Sequence, residues 1–138
     1  MDEKTRMLSQ VPLFSRLRGS ALEEVGSLTD EVDVQAGTEL THQGRTGGEF
    51  FVIVEGAVDV RRDGELLRTL GPGDFLGEIA LVDGGPRTAT ATTIAPSRLL
   101  VLTSTAFHTL IADQPDVRTS VLEALAERVR VLDARAGH

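Results

Sequence analysis

The sequence predicts a mainly β fold, an antiparallel β-roll or jelly-roll barrel, with helices at both ends of the chain. Apolar residues follow a helical period up to about residue 28, a period of two from about residue 30 to residue 103, and a helical period again after that. Glycines recur between the short alternating segments, as in turns. The pair Asp63-Gly64, between two such segments, indicates a two-residue β-hairpin.

A single domain is expected. A chain of 138 residues buries about 68% of its unfolded surface, which is enough for one core. The chain has no cysteine, so disulfides, thiolate zinc sites and cysteine nucleophiles are excluded. We expect residues 1–28 to form N-terminal helices, residues 29–103 the β-roll, and residues 104–138 the C-terminal helices, all within one domain of residues 1–138.

The N-terminal segment "MLSQVPLFSRLRGSALEEVGSL" has helical spacing that is interrupted near Pro12 and Gly19. A short helix, a turn and a second helix from Ser20 to Leu28 are therefore expected. Alternation then predicts strands over Glu31–Val34, Glu39–His42, Glu49–Glu55, Ala57–Arg62, Glu65–Leu70, Arg87–Ile94 and Ser97–Thr103. The run "FFVIV" is apolar on both faces, so its strand should be covered on both sides.

The C-terminal segment predicts a short helix over Thr105–Ala112 and a longer one from Pro115, which suits a first helical turn, to about Ala134. The longer helix carries one apolar stripe, formed by Val117, Val121, Leu125, Val129 and Leu132. The stripe fits packing against the β-roll. It fits equally well a face shared with a second copy of the chain, which would make a homodimer.

Composition limits the partners. Acidic residues outnumber basic ones by 21 to 14, and the net charge is −7. Binding of nucleic acid requires a basic surface, and the C-terminal "ERVRVLDAR" mixes arginines with acids as a solvated helix face does. No apolar run approaches the ~18 residues of a membrane span, and "MDEKTRMLSQ" does not resemble a secretory signal. We expect a cytoplasmic protein that binds neither membrane nor nucleic acid directly.

Catalysis and metal binding are not expected. The three histidines, His42, His108 and His138, are far apart in the sequence. A cupin-type metal site needs histidines and a carboxylate close together. The sequence also lacks a nucleophile elbow and a phosphate-binding P-loop. The chain is therefore expected not to be an enzyme.

The stretch "DFLGEIALVDGGPRTATATT" offers the groups that bind an anion. "GEIALV" is long enough for one helical turn, whose free N–H groups attract negative charge. Gly77 would allow a ligand close to the backbone, and Arg87 could form a forked contact with a phosphate. Thr88 could add a hydroxyl.

Glu78 needs a separate explanation, because a carboxylate repels a phosphate and only accepts hydrogen bonds. A ligand with a diester phosphate and a neighbouring hydroxyl would satisfy both Glu78 and Arg87. Alternatively, Glu78 complements the dipole of the short helix or pairs with Arg87, and Arg87 is an ordinary surface arginine. Spacing alone does not decide between these interpretations.

This stretch resembles the phosphate-binding cassette of the cyclic nucleotide-binding domain family, as in cAMP receptor protein-like β-rolls. The family pattern is F-G-E-[LI]-A-L-[LIM], a variable loop, and P-R-[TAS]-A-[TS]. The chain has Phe75, an inserted Leu76, "GEIALV" at 77–82 and "PRTAT" at 86–90. "VPLFSRL" is similar to the family's N-terminal helical entry, and the last helices are similar to its hinge and lid.

The resemblance implies that Glu78 accepts from the ribose 2′-hydroxyl and that Arg87 holds the cyclic phosphate. The binding residues it implies, within a cassette of residues 75–90, are Phe75, Gly77, Glu78, Ile79, Ala80, Arg87, Thr88 and Ala89. Relatives often cover the purine with an aromatic or long side chain of the final helix, which here has no aromatic residue. The lid candidates are Arg128, Val129, Leu132 and Arg130.

The resemblance thus implies a bacterial sensor module that binds cAMP or cGMP, needs no other cofactor, and repositions its C-terminal helix when the ligand binds. cAMP is favoured because bacterial relatives mostly use it. The partner that receives the signal is a second copy of the chain or an unidentified protein effector. The alternatives are an interaction scaffold that has the fold without the ligand, and the sensor fragment of a larger transcription regulator.

Overall fold

The structure of the protein is a computed structural model that describes residues 2–135, and it confirms the mainly β fold with flanking helices. The helices are α1 (Glu3–Ser9), α2 (Gly19–Leu28), α3 (Glu78–Asp83), α4 (Ser104–Asp113) and α5 (Pro115–Arg135), and a 3₁₀ turn spans Pro12–Phe14. The strands are β1 (Asp30–Val34), β2 (Glu39–Thr41), β3 (Glu49–Glu55), β4 (Val58–Arg62), β5 (Glu65–Leu70), β6 (Phe75–Leu76), β7 (Thr90–Thr93) and β8 (Ser97–Thr103). His138 lies outside the described residues.

The strands form two antiparallel four-stranded sheets, in the orders β1-β8-β3-β6 and β2-β7-β4-β5, and not one closed barrel. The arrangement is the β-roll of the prediction. Asp63 and Gly64 both have positive φ, as the expected β4–β5 hairpin turn requires. Buried residues of both sheets, such as Ile53, Val58 and Leu99, pack together in one core between the sheets.

A second core lies between the helices and the sheet that contains β3. Phe14 of the 3₁₀ turn packs edge-on against Phe50, with ring centroids 6.1 Å apart, and also contacts Phe107 of α4. Along β3, Phe50 belongs to this helical core, whereas Phe51 belongs to the core between the sheets. The prediction that "FFVIV" is covered on both sides is therefore confirmed.

Two strand predictions need correction. The strand expected over Arg87–Ile94 is shorter and begins at Thr90, because residues 86 and 87 pair with the 44–46 loop instead. The amide of Arg87 donates to the carbonyl of Arg45 (2.9 Å), and the amide of Gly44 donates to the carbonyl of Arg87 (2.8 Å). The sequence did not predict β6, which pairs with β3 over only two residues. A segment that short shows no period-two pattern.

The apolar stripe of α5 divides into two halves. Val117 and Val121 are buried in the helical core, and Leu125 is partly buried against it. Val129 and Leu132, one to two turns later, are exposed. Packing against the domain thus accounts for the first half of the stripe only.

Candidate functional site

A pocket of about 330 Å³ lies between α3, the segment that follows it, strands of the β2-β7-β4-β5 sheet, and α5. Its lining includes all the binding residues implied by the sequence, namely Phe75, Gly77, Glu78, Ile79, Ala80, Arg87, Thr88 and Ala89. Among the lid candidates, Arg128 lines the pocket, and Val129, Leu132 and Arg130 do not. Four further lining residues, Leu76, Asp83, Gly85 and Pro86, lie within the predicted cassette but were not singled out as binding residues. The sequence did not assign the last four, Thr41, Val60, Arg68 and Ala91, to the site.

Arg87 is a buried cation with one arm held by the protein. It is 7% exposed, and its Nη2 donates to the backbone carbonyl of Glu49 at 2.7 Å and lies 3.4 Å from the Glu49 carboxylate. Its Nη1 has no hydrogen-bond partner among the described residues. Burial lowers the pKa of Arg87, and Glu49 opposes that shift. Because arginine titrates far above neutral pH, the guanidinium remains charged.

Glu78, the first residue of α3, is also buried, at 5% exposed. Its Oε1 forms an ion pair with Nη1 of Arg128 on α5. The other carboxylate oxygen, Oε2, is buried and accepts no hydrogen bond from the described residues. The suggested pairing of Glu78 with Arg87 is therefore wrong, because Arg87 pairs with Glu49 and Glu78 with Arg128. A buried polar atom without a hydrogen bond is costly, so a donor that enters the pocket and reaches Oε2 would stabilise it.

Gly77 allows the close approach of the segments that carry these side chains. Its φ of +88° is in the left-handed region. A Cβ there would lie 2.7 Å from Arg87 Nη1 and 2.7 Å from the backbone oxygen of Glu49. Gly77 also accepts the first hydrogen bond of α3, from the amide of Leu81 at 2.9 Å. The amides at the start of α3, before Leu81, therefore have no helical partners, and the residues that carry them, Glu78, Ile79 and Ala80, line the pocket.

The β-strands supply the inner wall of the pocket. Val60 of β4 and Ala91 of β7 pair directly with each other and are both buried. Thr41 Oγ1 donates to the carbonyl of Ala89 at 3.0 Å and accepts from the amide of Ala91 at 3.1 Å, which fixes the strand that follows the cassette. The sequence placed Val60 and Ala91 in strands. Their shared face depends on pairing between distant segments, so a local pattern does not identify it.

Within residues 2–135, no group of three or more histidine, cysteine, aspartate or glutamate side chains is arranged to hold a metal ion. None of the helices in that range is long and apolar enough to span a membrane.

The model of the cyclic nucleotide-binding domain matches residues 31–114. The chain belongs to the cyclic nucleotide-binding domain family. The match extends from β1 through the cassette to the end of α4. It includes Glu78 and Arg87, and it excludes α5, which supplies Arg128.

Relatives with several kinds of output share this domain. The chain is 33% identical over 135 residues to the CRP-like cAMP-activated global transcriptional regulator of Mycobacterium tuberculosis. That alignment covers 94% of the chain and 59% of the regulator. It is 33% identical over 123 residues to a cyclic nucleotide-gated potassium channel of Rhizobium etli, covering 89% of the chain and 34% of the channel. The chain therefore spans less than two thirds of the length of either relative.

Solved structures agree with the fold. The N-terminal domain of a transcriptional regulator from Streptomyces coelicolor superposes with a TM-score of 0.85 at 33% identity, covering 94% of each chain. The structure described as cAMP-bound PfPKA-R superposes with a TM-score of 0.71 at 27% identity, over 80% of this chain and 43% of that one.

The geometry at Gly77 leads to a stability prediction with a matched control. Gly73 has nearly the same φ, +89°, but a Cβ there would meet nothing within 4 Å. Gly73→Ala should cost about 1–2 kcal/mol of unfolding free energy for the left-handed backbone alone. Gly77→Ala should cost about 1–3 kcal/mol more, because its Cβ overlaps Arg87 and the backbone of Glu49. Urea denaturation measures both losses, and equal losses would show that the close contact at Gly77 does not matter.

Proposed function

We propose that this domain is a regulatory module, not an enzyme, and that it binds one cyclic mononucleotide in the pocket. The observation that carries the proposal is that Glu78 and Arg87 are both buried at this pocket, and that Glu78 Oε2 and Arg87 Nη1 have no hydrogen-bond partner among the described residues. The Glu78 carboxylate only accepts hydrogen bonds, and the Arg87 guanidinium only donates them. A cyclic mononucleotide has the complementary groups, a ribose 2′-hydroxyl that donates and a singly charged diester phosphate that accepts.

The pocket suits the rest of such a ligand. Its volume of about 330 Å³ lies within the range of small-molecule sites, which combine apolar walls with a few polar groups. Phe75, Val60 and Ala91 contribute the apolar wall. Thr88 and the amides of the first turn of α3 add donors beside the proposed phosphate position.

cAMP is the favoured ligand and cGMP the second. The mycobacterial relative is described as cAMP-activated, and the PfPKA-R structure is described as cAMP-bound. A hydroxyl at Thr88 serves either nucleotide, because it can contact the phosphate or the amino group of guanine. We also propose that the domain is the sensor part of a larger transcription regulator, like those named in Mycobacterium and Streptomyces.

Replacing Arg87 tests the assignment of the phosphate. Arg87→Ala should weaken cAMP binding by about 2–5 kcal/mol, because the phosphate would be left without its charged partner. Isothermal titration calorimetry measures the change. Arg98→Ala is the matched control, because it removes an arginine that pairs with Asp33 on β1 and does not line the pocket. It should bind like the wild type.

Arg87→Lys is a milder variant that retains the positive charge but loses the two parallel donors of the guanidinium. Its affinity for cAMP should lie between those of the wild type and Arg87→Ala. Unchanged affinity in folded Arg87→Ala would show that Arg87 does not hold the phosphate. Failure of the wild-type protein to bind either nucleotide below about 1 mM would support the interaction scaffold instead.

We propose that ligand binding repositions α5 through Arg128. The ion pair between Arg128 and Glu78 joins α5 to the carboxylate that the ribose hydroxyl would contact. A ligand can shift the position of α5 only if it binds more tightly to the domain with α5 in one position than in another. Because Arg128 of α5 contacts Glu78 in the pocket, the affinity for the ligand would depend on the position of α5.

Hydrogen exchange of the α5 amides, measured with and without cAMP, tests this coupling. Ligand should slow exchange in the wild-type protein, and Arg128→Ala should remove most of that difference while cAMP still binds. Arg130→Ala, two residues away and outside the pocket lining, should behave like the wild type. Identical exchange with and without ligand in the wild-type protein would contradict the coupling.

The exposed side of α5 is proposed to contact a second copy of the chain. Leu122, Val129 and Leu132 are 60%, 63% and 60% exposed, and their spacing of seven and then three residues places them on one helix face, as in a coiled coil. Apolar patches of this kind mark interaction surfaces. Sedimentation equilibrium should give a dimer for the wild-type protein and a monomer for Val129→Glu. Leu66→Glu, at an exposed leucine of β5, is the control and should remain dimeric. A monomeric wild-type protein would contradict the dimer and would mean that a different protein covers this face of α5.

A further inference from the structure

The second half of the cassette, residues 86–89, precedes β7 and belongs to no strand, so contacts from other segments must fix its backbone. The carbonyl of Arg87 accepts a hydrogen bond from the amide of Gly44 at 2.8 Å. The next carbonyl, that of Thr88, accepts from Nε of Arg62 at 3.1 Å. Arg62 is the last residue of β4, at the tip of the β4–β5 hairpin. The hairpin tip is thus joined directly to the cassette.

The hairpin tip is also fixed to the loop between β2 and β3, through a reciprocal pair of hydrogen bonds. Gln43 Nε2 donates to Asp63 Oδ1 at 2.9 Å, and Gln43 Oε1 accepts from the amide of Asp63 at 2.9 Å. The backbone amide of Gln43 donates in addition to Thr90 Oγ1 at 2.9 Å, at the start of β7. Because a carboxamide both donates and accepts, Gln43 can make this pair, whereas a carboxylate of the same size cannot.

Together these contacts form a closed ring of three segments beside the pocket. The loop contacts the hairpin through Gln43 and the cassette through Gly44, and Arg62 closes the ring at Thr88. Thr88 lines the pocket, whereas Arg62 and Gln43 do not. Since the peptide group that follows Thr88 is planar, a bond to its carbonyl restricts the backbone from which the Thr88 side chain projects. Arg62 therefore acts on the pocket through Thr88.

We propose that Arg62 is a positioning residue for the phosphate site. It orients Thr88, beside Arg87, so that the donors of the cassette fit the two unesterified oxygens of the phosphate, and Gln43 and Asp63 hold the tip that carries Arg62. The role of Arg62 rests on the proposed function, in which these donors face the phosphate. Donors that are fixed before binding do not have to be ordered by the ligand, and they distinguish two oxygens that loosely held donors would bind alike.

Phosphorothioate analogues of cAMP report this orientation. The Sp and Rp isomers have the same charge, sugar and base, and they differ only in which unesterified oxygen is replaced by sulfur. Donors in fixed positions should bind one isomer more tightly than the other, so the ratio of the two affinities measures how firmly the donors are held. Isothermal titration calorimetry with cAMP and both isomers gives this isomer ratio.

Arg62→Ala should weaken cAMP binding by about three- to tenfold and should move the isomer ratio towards one. Arg61→Ala is the matched control, because it removes the neighbouring arginine of the hairpin, which pairs with Asp59 and does not line the pocket. It should keep the wild-type isomer ratio, since the loss of one positive charge affects both isomers equally. Arg62→Lys retains a donor of similar reach and should restore part of the ratio.

Gln43→Glu tests the support of the hairpin tip. It keeps the size of the side chain but replaces the donor with a second carboxylate next to Asp63, so it should lower the isomer ratio as Arg62→Ala does. Combining the two substitutions should lower the ratio little further, because both act through the same contact with the cassette. Additive losses would contradict this shared route.

The comparison of cAMP with 2′-deoxy-cAMP separates positioning from a general loosening of the pocket. Glu78 is on α3, which lies outside the ring of contacts. Arg62→Ala should therefore leave the affinity ratio of these two nucleotides at the wild-type value. A fall of this ratio by the same factor as the isomer ratio would show that Arg62 only stabilises the domain, and it would overturn the inference.

The remaining outcomes distinguish the role of Arg62 from the function on which it rests. An unchanged isomer ratio in folded Arg62→Ala, or an equal loss in Arg61→Ala, would overturn the inference, and so would a wild-type domain that binds both isomers equally. In each case cAMP still binds, and the proposed function stands. If the wild-type domain binds neither cAMP nor its analogues, the proposed function is wrong, and the role of Arg62 fails with it.

Discussion

The contact between the Arg87 guanidinium and the backbone carbonyl of Glu49 is the interaction on which the rest of the site depends. It joins the cassette to the start of β3, and it is possible because Gly77 has no side chain at the point where the segments meet. One arm of the guanidinium is thereby fixed, and the other is left without a partner. A cation held in advance in this way does not have to be ordered when an anion binds, which favours affinity.

The carboxylate of Glu78 is tolerated inside the domain because of a second contact, its ion pair with Arg128. Gly77 starts α3, and α3 places Glu78 at the pocket beside, but not paired with, Arg87. The opposing charge for Glu78 comes instead from Arg128, on the helix that lies outside the matched family region. The pocket is therefore built from two parts, a β-roll that supplies the anion site and a C-terminal helix that reaches it through one ion pair.

Local pattern was sufficient for much of this structure, and long-range pairing accounts for what it missed. The period change near residues 28 and 103 and the Asp63-Gly64 turn predicted the β-roll, and the cassette sequence predicted the residues around the pocket. Arg68, Thr41 and Ala91 could not be assigned to the site, because their positions depend on strand registers between distant segments. Likewise, the stripe of α5 shows helicity, but it does not show where burial ends along the helix.

The central claim is that Glu78 accepts a hydrogen bond from a ribose 2′-hydroxyl while Arg87 holds the phosphate. Calorimetric comparison of cAMP with 2′-deoxy-cAMP tests it most directly, because the two ligands differ only in that hydroxyl. A hydrogen bond to a charged group contributes about 1.5–3 kcal/mol, so the deoxy analogue should bind the wild-type domain about tenfold or more weakly, and the difference should shrink in Glu78→Ala. Equal affinities of the wild-type domain for the two nucleotides would contradict the account.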